Sequence, residues 1–252
     1  MKICIVGYYG KVGKSVIKVV NNSDDYSIAF GVSKSAKDNA LSDGVKVFKD
    51  FSQVDEKCDG IIDFSHRDNL PSMLEYAKKN MIPVVIGTTG MHKDDEKLIN
   101  DASKFIPILL SHNTGFGINI MLGIVKKMAQ ELKEFDIEII EKHHNRKEDA
   151  PSGTSKMLFD SMKEARPDLY PQYNREPFLE KRKKDEVGFH SVRGGGIISD
   201  HDVVFAGDDD VLTLSHRALT DDSFAKGALK GLKYLKNKSA GLYSMEDVIN
   251  NK

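Results

Sequence analysis

The chain has 252 residues, enough for one large or two modest domains with a core that needs no disulfide or metal staple. Its 37 basic and 38 acidic residues leave a net charge of −1, which argues against a dedicated nucleic-acid binder. The two cysteines, Cys4 and Cys58, have no zinc or redox spacing and fit a reducing, cytoplasmic compartment, and apolar runs such as 83–86 and 106–110 fall far short of the roughly 20 residues that span a membrane.

The chain starts directly on a strand-like run at 3–6, with no signal-peptide pattern before it. Further strands are predicted at 27–32, 60–64, 84–86 and 108–110. Between them, Val12, Val16, Val19 and Val20, and then Leu70, Met73, Leu74 and Ala77, recur at helical spacing. Strands alternating with helices predict an α/β fold with a parallel sheet, and their nearly all-apolar composition predicts burial on both faces.

The first strand runs into Gly7-Tyr8-Tyr9-Gly10-Lys11-Val12-Gly13, which opens the first helix. Glycines at this spacing allow a tight turn, close approach of backbone N–H groups to a pyrophosphate, and close packing of helix on sheet. As the first strand-to-helix turn of an alternating chain, the loop predicts a Rossmann-type doubly wound domain that binds a dinucleotide. Where such domains read the cofactor ribose, after the second strand, stand Ser33 and Lys34 rather than a carboxylate. A hydroxyl followed by a cation suits a 2′-phosphate, so NADPH is expected to be accepted at least as well as NADH, although Lys34 also reads simply as a solvated loop lysine. Two later strand ends, Gly87-Thr88-Thr89-Gly90 and Ser111-His112-Asn113-Thr114, offer small and hydroxylic residues to the nicotinamide half.

Beyond residue 113 the pattern changes. A long amphipathic helix is predicted from Ile118, Met121, Leu122, Val125, Met128, Ala129 and Leu132, followed by an alternating strand at 136–141 and a helix at 155–164. After a charged stretch at 175–186, strand-like runs at 187–193, 203–206 and 211–215 follow one another without intervening helices. That order predicts a second, α+β domain with an antiparallel or mixed sheet. A last helix carries Phe224, Ala228, Leu232 and Leu235 on one face. The expected division is 1–113 with 217–252 for the dinucleotide domain, and 114–216 for the second.

The densest chemical constellation runs from Glu141 to Ser155: Glu-Lys-His-His-Asn-Arg-Lys-Glu-Asp-Ala-Pro-Ser-Gly-Thr-Ser. Two histidines and several cations lead into a Ser-Gly-Thr helix start, whose unpaired N–H groups and dipole attract anions. A substrate carrying carboxylates or phosphate fits this pattern, and so does a solvated charge run ending in a helix cap. No metal site is expected, because adjacent histidines in an extended chain point to opposite faces. His66, His92 and His190 read as surface residues, and His201 and His216 as hydrogen-bonding residues of the second domain.

The string His143-His144-Asn145-Arg146-Lys147-Glu148-Asp149-Ala150-Pro151-Ser152-Gly153-Thr154 resembles the signature of the 4-hydroxy-tetrahydrodipicolinate reductase (dihydrodipicolinate reductase) family. The resemblance extends over nearly the whole chain, through the opening loop, Asp63-Phe64-Ser65, Gly87 to Gly90, Asn119, Arg193-Gly194-Gly195, His201, Phe224 to Ala228 and Gly241-Leu242-Tyr243. It implies an oxidoreductase using NADPH and/or NADH on a small cyclic imine dicarboxylate in the diaminopimelate route to lysine. It further implies that His143 donates and accepts the proton and that Lys147 is a second proton donor. His144, Ser152, Gly153 and Thr154 match substrate-binding positions. Gly7, Tyr8, Tyr9, Gly10, Lys11, Val12, Gly87, Thr88, Thr89, Ser111, His112, Asn113 and Thr114 match cofactor contacts. The family assembles homotetramers through the second domain's sheet. Ser33-Lys34, Thr114-Gly115 and Asp222 depart from its common pattern. Another NAD(P)-dependent reductase on the same plan, and a nucleotide sensor, are the competing readings; intact His143 and Lys147 speak against the sensor.

Overall fold

The computed structural model describes residues 1–37, 40–173, 175 and 180–251. In chain order the elements are β1 (Lys2–Val6), α1 (Lys11–Asn21), β2 (Ser27–Val32), β3 (Ala40–Ser42), β4 (Val45–Phe48), β5 (Gly60–Asp63), α2 (Leu70–Asn80), β6 (Val84–Ile86), α3 (Lys93–Ser103) and β7 (Pro107–Leu110). Then come α4 (Phe116–Glu131), β8 (Asp136–His143), α5 (Gly153–Ala165), β9 (Tyr170–Gln172), β10 (Glu186–Arg193), β11 (Ser199–Ala206), β12 (Val211–Ala218), α6 (Asp222–Leu235), β13 (Gly241–Tyr243) and α7 (Met245–Asn250). Two compact units result: Met1–Phe116 with Asp221–Lys252, and Gly117–Thr220.

The first unit is built on a sheet of order β13-β7-β6-β5-β1-β2-β4-β3. It is parallel throughout except for the β3–β4 pair. Side-chain alternation along β1 explains its unbroken apolar run: Cys4 and Val6 enter one core layer with α2 and α3 residues such as Met73, Ala77 and Ile99, while Ile3 and Ile5 enter the other with Val16, Val20, Ala228 and Leu232. Helix α1 is rich in β-branched residues, which cost up to ~0.7 kcal/mol each in helix propensity. Burial of Val16 and Val20, at about 1.5–3 kcal/mol apiece, outweighs that cost. The chain leaves β1 for β2 on one side and later returns to β5 on the other, so the strand order reverses between β1 and β5. Ligands of such sheets bind beyond the strand C-termini at that reversal.

Several elements differ from the sequence expectation. The β3–β4 hairpin, α3 and β13 were not predicted. Helix α3 is mostly charged and buries Asp95, Ile99, Ala102 and Ser103, but it starts in a capping box of His92 and Asp95. Strand β13 is three residues long and is held by pairing with β7. Phe224 is only half-buried; α6 instead turns Ala225, Ala228, Leu229, Leu232 and Leu235 inward.

In the second unit the sheet order is β12-β11-β8-β10-β9. It is mixed: β10 runs parallel to β8 and β9, while β11 runs antiparallel to β8 and β12. Helix α5 provides the crossover that a parallel β8–β10 pair requires. Strand β8 alternates strictly between buried and more exposed positions, and its buried Ile137 and Ile139 pack with Val187, Val203 and Phe205 and with Met121 and Val125 of α4 and Leu158 and Met162 of α5. Of the charged stretch 175–186, residues 176–179 lie outside the described residues. Among the described residues no helix is long and apolar enough to cross a membrane.

Candidate active site

The β1–α1 turn owes its shape to its glycines. Gly7 has φ +84, a region L side chains rarely adopt, and a Cβ there would collide with the Phe64 carbonyl at the end of β5. A Cβ on Gly13 would collide with the Gly7 carbonyl oxygen and stand 3.0 Å from that of Tyr8. Gly10 is the N-cap of α1, and that helix start has neither a side-chain cap nor an acidic residue in its first turn. Its amides are thus left to an external anion, which fits a dinucleotide pyrophosphate.

The expected cofactor residues divide by what their side chains already hold. Tyr8 is 2% exposed and packs on Gly31, so it is a core residue that lends only backbone to the turn. Tyr9 meets it edge-on, with centroids 5.4 Å apart, and Val12 is half-buried. Lys11 pairs with Asp221 at 2.9 Å, and Lys34 with Asp68 at 2.8 Å. Ser111 donates to the Asn113 carbonyl at 2.7 Å, Asn113 Oδ1 accepts from Gly115 N at 2.9 Å, and Thr114 donates to the Phe224 carbonyl at 2.7 Å. These three shape the loop after β7, whereas Thr89 and His112 are exposed.

Thr88 belongs to a group centred on a carboxylate, Asp63, to which the motif reading gives no role. Asp63, fully buried at the end of β5, accepts from Ser65 Oγ at 2.5 Å and from Thr88 Oγ1 at 2.7 Å. Ser65 N donates to Thr88 Oγ1 at 2.9 Å, and Asn69 donates to Ser65 Oγ at 3.0 Å. Burial pushes the Asp63 carboxyl up to about 6, against the opposing pull of the Ser65 and Thr88 hydrogen bonds. Because this folded-state value lies above the ordinary 3.8, the folded protein holds this proton more tightly than the unfolded chain. The stabilisation present below pH 4 is therefore lost as pH rises through 6. Urea melts of wild type and Asp63→Asn at pH 4 and pH 7 will show wild type losing stability relative to the variant over that interval; parallel pH dependences would contradict this.

In the second unit, β8 places Glu141 and His143 on its buried face, two residues apart. His143, 7% exposed, turns Nδ1 to the Glu141 carboxylate. Arg193, at the end of β10 and in register with His143, donates from Nη1 and Nη2 to both oxygens of Glu141 at 2.8 and 2.7 Å. Burial works to raise the Glu141 carboxyl, but His143 and Arg193 hold it well below the usual carboxylate range. Arg193 Nη2 also donates to the Asp149 carbonyl at 2.7 Å, and the Asp149 carboxylate takes Lys147 Nζ at 2.6 Å.

His201, fully buried on β11, stacks edge-on against His143 with centroids 5.2 Å apart. Burial, with His143 close by, pushes its imidazole down to about 3, so it stays neutral. Its Nε2 lies 2.9 Å from Ser152 Oγ, which in turn accepts from Ser155 N at 3.1 Å and caps α5. The Ser152 hydroxyl is thus structural, and Gly153 and Thr154 are the more exposed positions of this helix start. Lys142 pairs with Asp202 at 2.6 Å, His144 is half-buried and Arg146 exposed. Sequence reading picked out His143, Lys147 and the helix start but missed what Glu141 and Arg193 do. Among the described residues no group of three His, Cys, Asp or Glu side chains is placed to hold a metal ion.

Comparison with known proteins gives a consistent result. The family model for the dihydrodipicolinate reductase N-terminus matches residues 1–114, and that for the C-terminus matches residues 117–249. The 4-hydroxy-tetrahydrodipicolinate reductase of Caldanaerobacter subterraneus subsp. tengcongensis is 42% identical over 99% of this chain and 98% of its own length. The protein of the same name from Clostridium novyi is 42% identical over 100% and 99%. Among solved structures, a dipicolinate-bound dihydrodipicolinate reductase from Paenisporosarcina sp. TG-14 shares the fold, with a TM-score of 0.79, 23% identity and 97% of each chain covered.

Proposed function

The chain belongs to the dihydrodipicolinate reductase family, and we propose that it reduces (2S,4S)-4-hydroxy-2,3,4,5-tetrahydrodipicolinate to 2,3,4,5-tetrahydrodipicolinate, with loss of water, in the diaminopimelate route to lysine. The observation that carries this reading is kinship along the full chain with reductases of that name. The enzyme is an oxidoreductase dependent on a pyridine nucleotide, held by the turn from Gly7 to Val12 and the loops at Gly87 to Thr89 and Ser111 to Thr114. When bound, the reduced nicotinamide supplies the hydride.

The chain's own residues hold the dicarboxylate and manage its charge. Gly153 and Thr154, at the α5 N-terminus, take a substrate carboxylate, with His144 beside the same segment. Hydride addition puts negative charge on the ring, and His143 is built to answer it: Nδ1 faces Glu141, which leaves Nε2 to meet the substrate and deliver the proton. The Lys147 ammonium stabilises the same charge and serves as second proton donor.

The test is loss of NADPH absorbance on adding the cyclic imine freshly made by condensing pyruvate with aspartate semialdehyde. Rapid oxidation is expected; bound NADPH that stays reduced in that mixture overturns the reading. The same assay addresses the cofactor. With Ser33 and Lys34 after β2, NADPH should serve at least as well as NADH, Lys34 exchanging Asp68 for the 2′-phosphate. Lys34→Ala is expected to lower the NADPH-to-NADH ratio of kcat/KM about tenfold, the loss of one charge-assisted hydrogen bond; an unchanged ratio shows that this lysine does not read the phosphate.

A homotetramer working in the cytoplasm completes the proposal. The second sheet carries its helices on one face, and Val192 and Val211, 44% and 60% exposed, supply apolar surface for assembly. Cys4 and Cys58 are buried free thiols, in keeping with a reducing compartment.

A further inference from the structure

We infer that Arg193 is a positioning residue for both proton donors at once, clamping Glu141 behind His143 with one edge of its guanidinium and holding the loop of Lys147 through the Asp149 carbonyl. The inference rests on the proton-donor roles given above to His143 and Lys147.

The geometry is specific to arginine. Nη1 and Nη2 meet the two oxygens of Glu141, while Nη2 also reaches the Asp149 carbonyl at 2.7 Å and Nη1 the Val192 carbonyl at 2.8 Å. A lysine ammonium is a single point of donation and cannot span these acceptors. Glu141 is 1% exposed, so its charge needs a fixed partner, and removing one member of such a pair leaves the other buried and uncompensated. Backbone bonds tie the same region together: Gly194 N donates to the His143 carbonyl at 2.9 Å, and Asn145 N to the Gly195 carbonyl at 3.3 Å. The segment after β10 thus braces the end of β8, which carries His143, and the segment after it, which carries Lys147.

The chain of contacts assigns work to each atom. Arg193 keeps Glu141 ionised and still, and Glu141 fixes the His143 ring with Nδ1 as its anchored nitrogen. On the other arm, the Asp149 carbonyl is held while its carboxylate takes Lys147 at 2.6 Å. The groups in contact with His143 are Glu141 from its own strand and His201 from β11, with Arg193 behind Glu141. His201 is uncharged and contributes packing rather than field.

Two variants test the clamp. Glu141→Gln removes the carboxylate, and the downfield NMR resonance of the hydrogen-bonded His143 Nδ1–H should move upfield or be lost. Arg193→Lys keeps a cation but loses the fork, and kcat should fall about 10- to 100-fold with substrate KM within about threefold and NADPH affinity unchanged. An unmoved His143 Nδ1–H resonance in Glu141→Gln, or wild-type kcat in Arg193→Lys, overturns the inference. Loss of kcat and NADPH affinity together also overturns it, since that marks general damage. Should Glu141→Gln not fold, Arg193→Lys still decides. The NMR arm needs no turnover, so the clamp can stand even if the wild-type enzyme leaves the cyclic imine unreduced, an outcome that would count only against the reaction.

Discussion

Alanine at His143 is expected to lower kcat by about 10²- to 10⁴-fold while the KM for the cyclic imine changes little. In the proposed role the residue meets the substrate through one nitrogen, and a proton delivered only as charge develops stabilises the transition state far more than the bound ground state. Alanine at Lys147 should act in the same direction and to a similar degree. The structure adds a stronger expectation. Through Glu141, Arg193 and Asp149 the two donors share one network, so their losses should not add. The double variant should be little slower than the worse single one, whereas independent donors would multiply their effects. Steady-state kinetics on the three variants checks both points, with NADPH binding as the control for folding. Near-normal turnover in both single variants removes His143 and Lys147 from the reaction.

How far the sequence foretells this site depends on whether a feature is local. The β1–α1 turn is legible because its glycines and apolar strand lie within a dozen residues and each has a steric reason. The pairing of Glu141 with His143 is half-legible: two residues apart on an alternating strand, they must share a face. Arg193 is not legible in this way. It lies 52 residues from Glu141 and reaches it only because β10 runs parallel to β8 in one register, which no local pattern specifies. The closed hydrogen-bond group around Asp63 escapes the motif for another reason. A carboxylate ending an apolar strand reads as the start of a loop until Ser65 and Thr88 are seen to close over it. Tyr8 shows the converse, since a motif position named for the cofactor turns its ring into the core and leaves its backbone to the turn. Helix α3 escaped because its face toward the core includes the polar Asp95 and Ser103 beside Ile99 and Ala102, leaving the helical period without contrast.

Gly13→Ala and Gly123→Ala should change stability in opposite directions, although both place alanine inside a helix. Propensity alone favours both changes by about 1 kcal/mol, because glycine is the costlier residue to order. At Gly123, in α4, a new Cβ meets nothing within 4 Å, so the gain should be realised as about 0.5–1 kcal/mol. At Gly13 the methyl would strike the Gly7 carbonyl oxygen, with the Gly7 carbon and the Tyr8 oxygen each 3.0 Å away, so no small rotation relieves it. Gly7 O accepts from Gly10 N at 2.8 Å, and moving that carbonyl breaks the bond that closes the turn. Overpacking against backbone costs about 1–3 kcal/mol, which outweighs the propensity gain and leaves a net loss. The same displacement reshapes the amides offered to the pyrophosphate, so NADPH affinity should fall by about tenfold or more. Urea melts and fluorescence titration with NADPH measure the two effects. A Gly13→Ala protein as stable as wild type, binding NADPH as tightly, would show that close packing of α1 on this turn is not what requires glycine there.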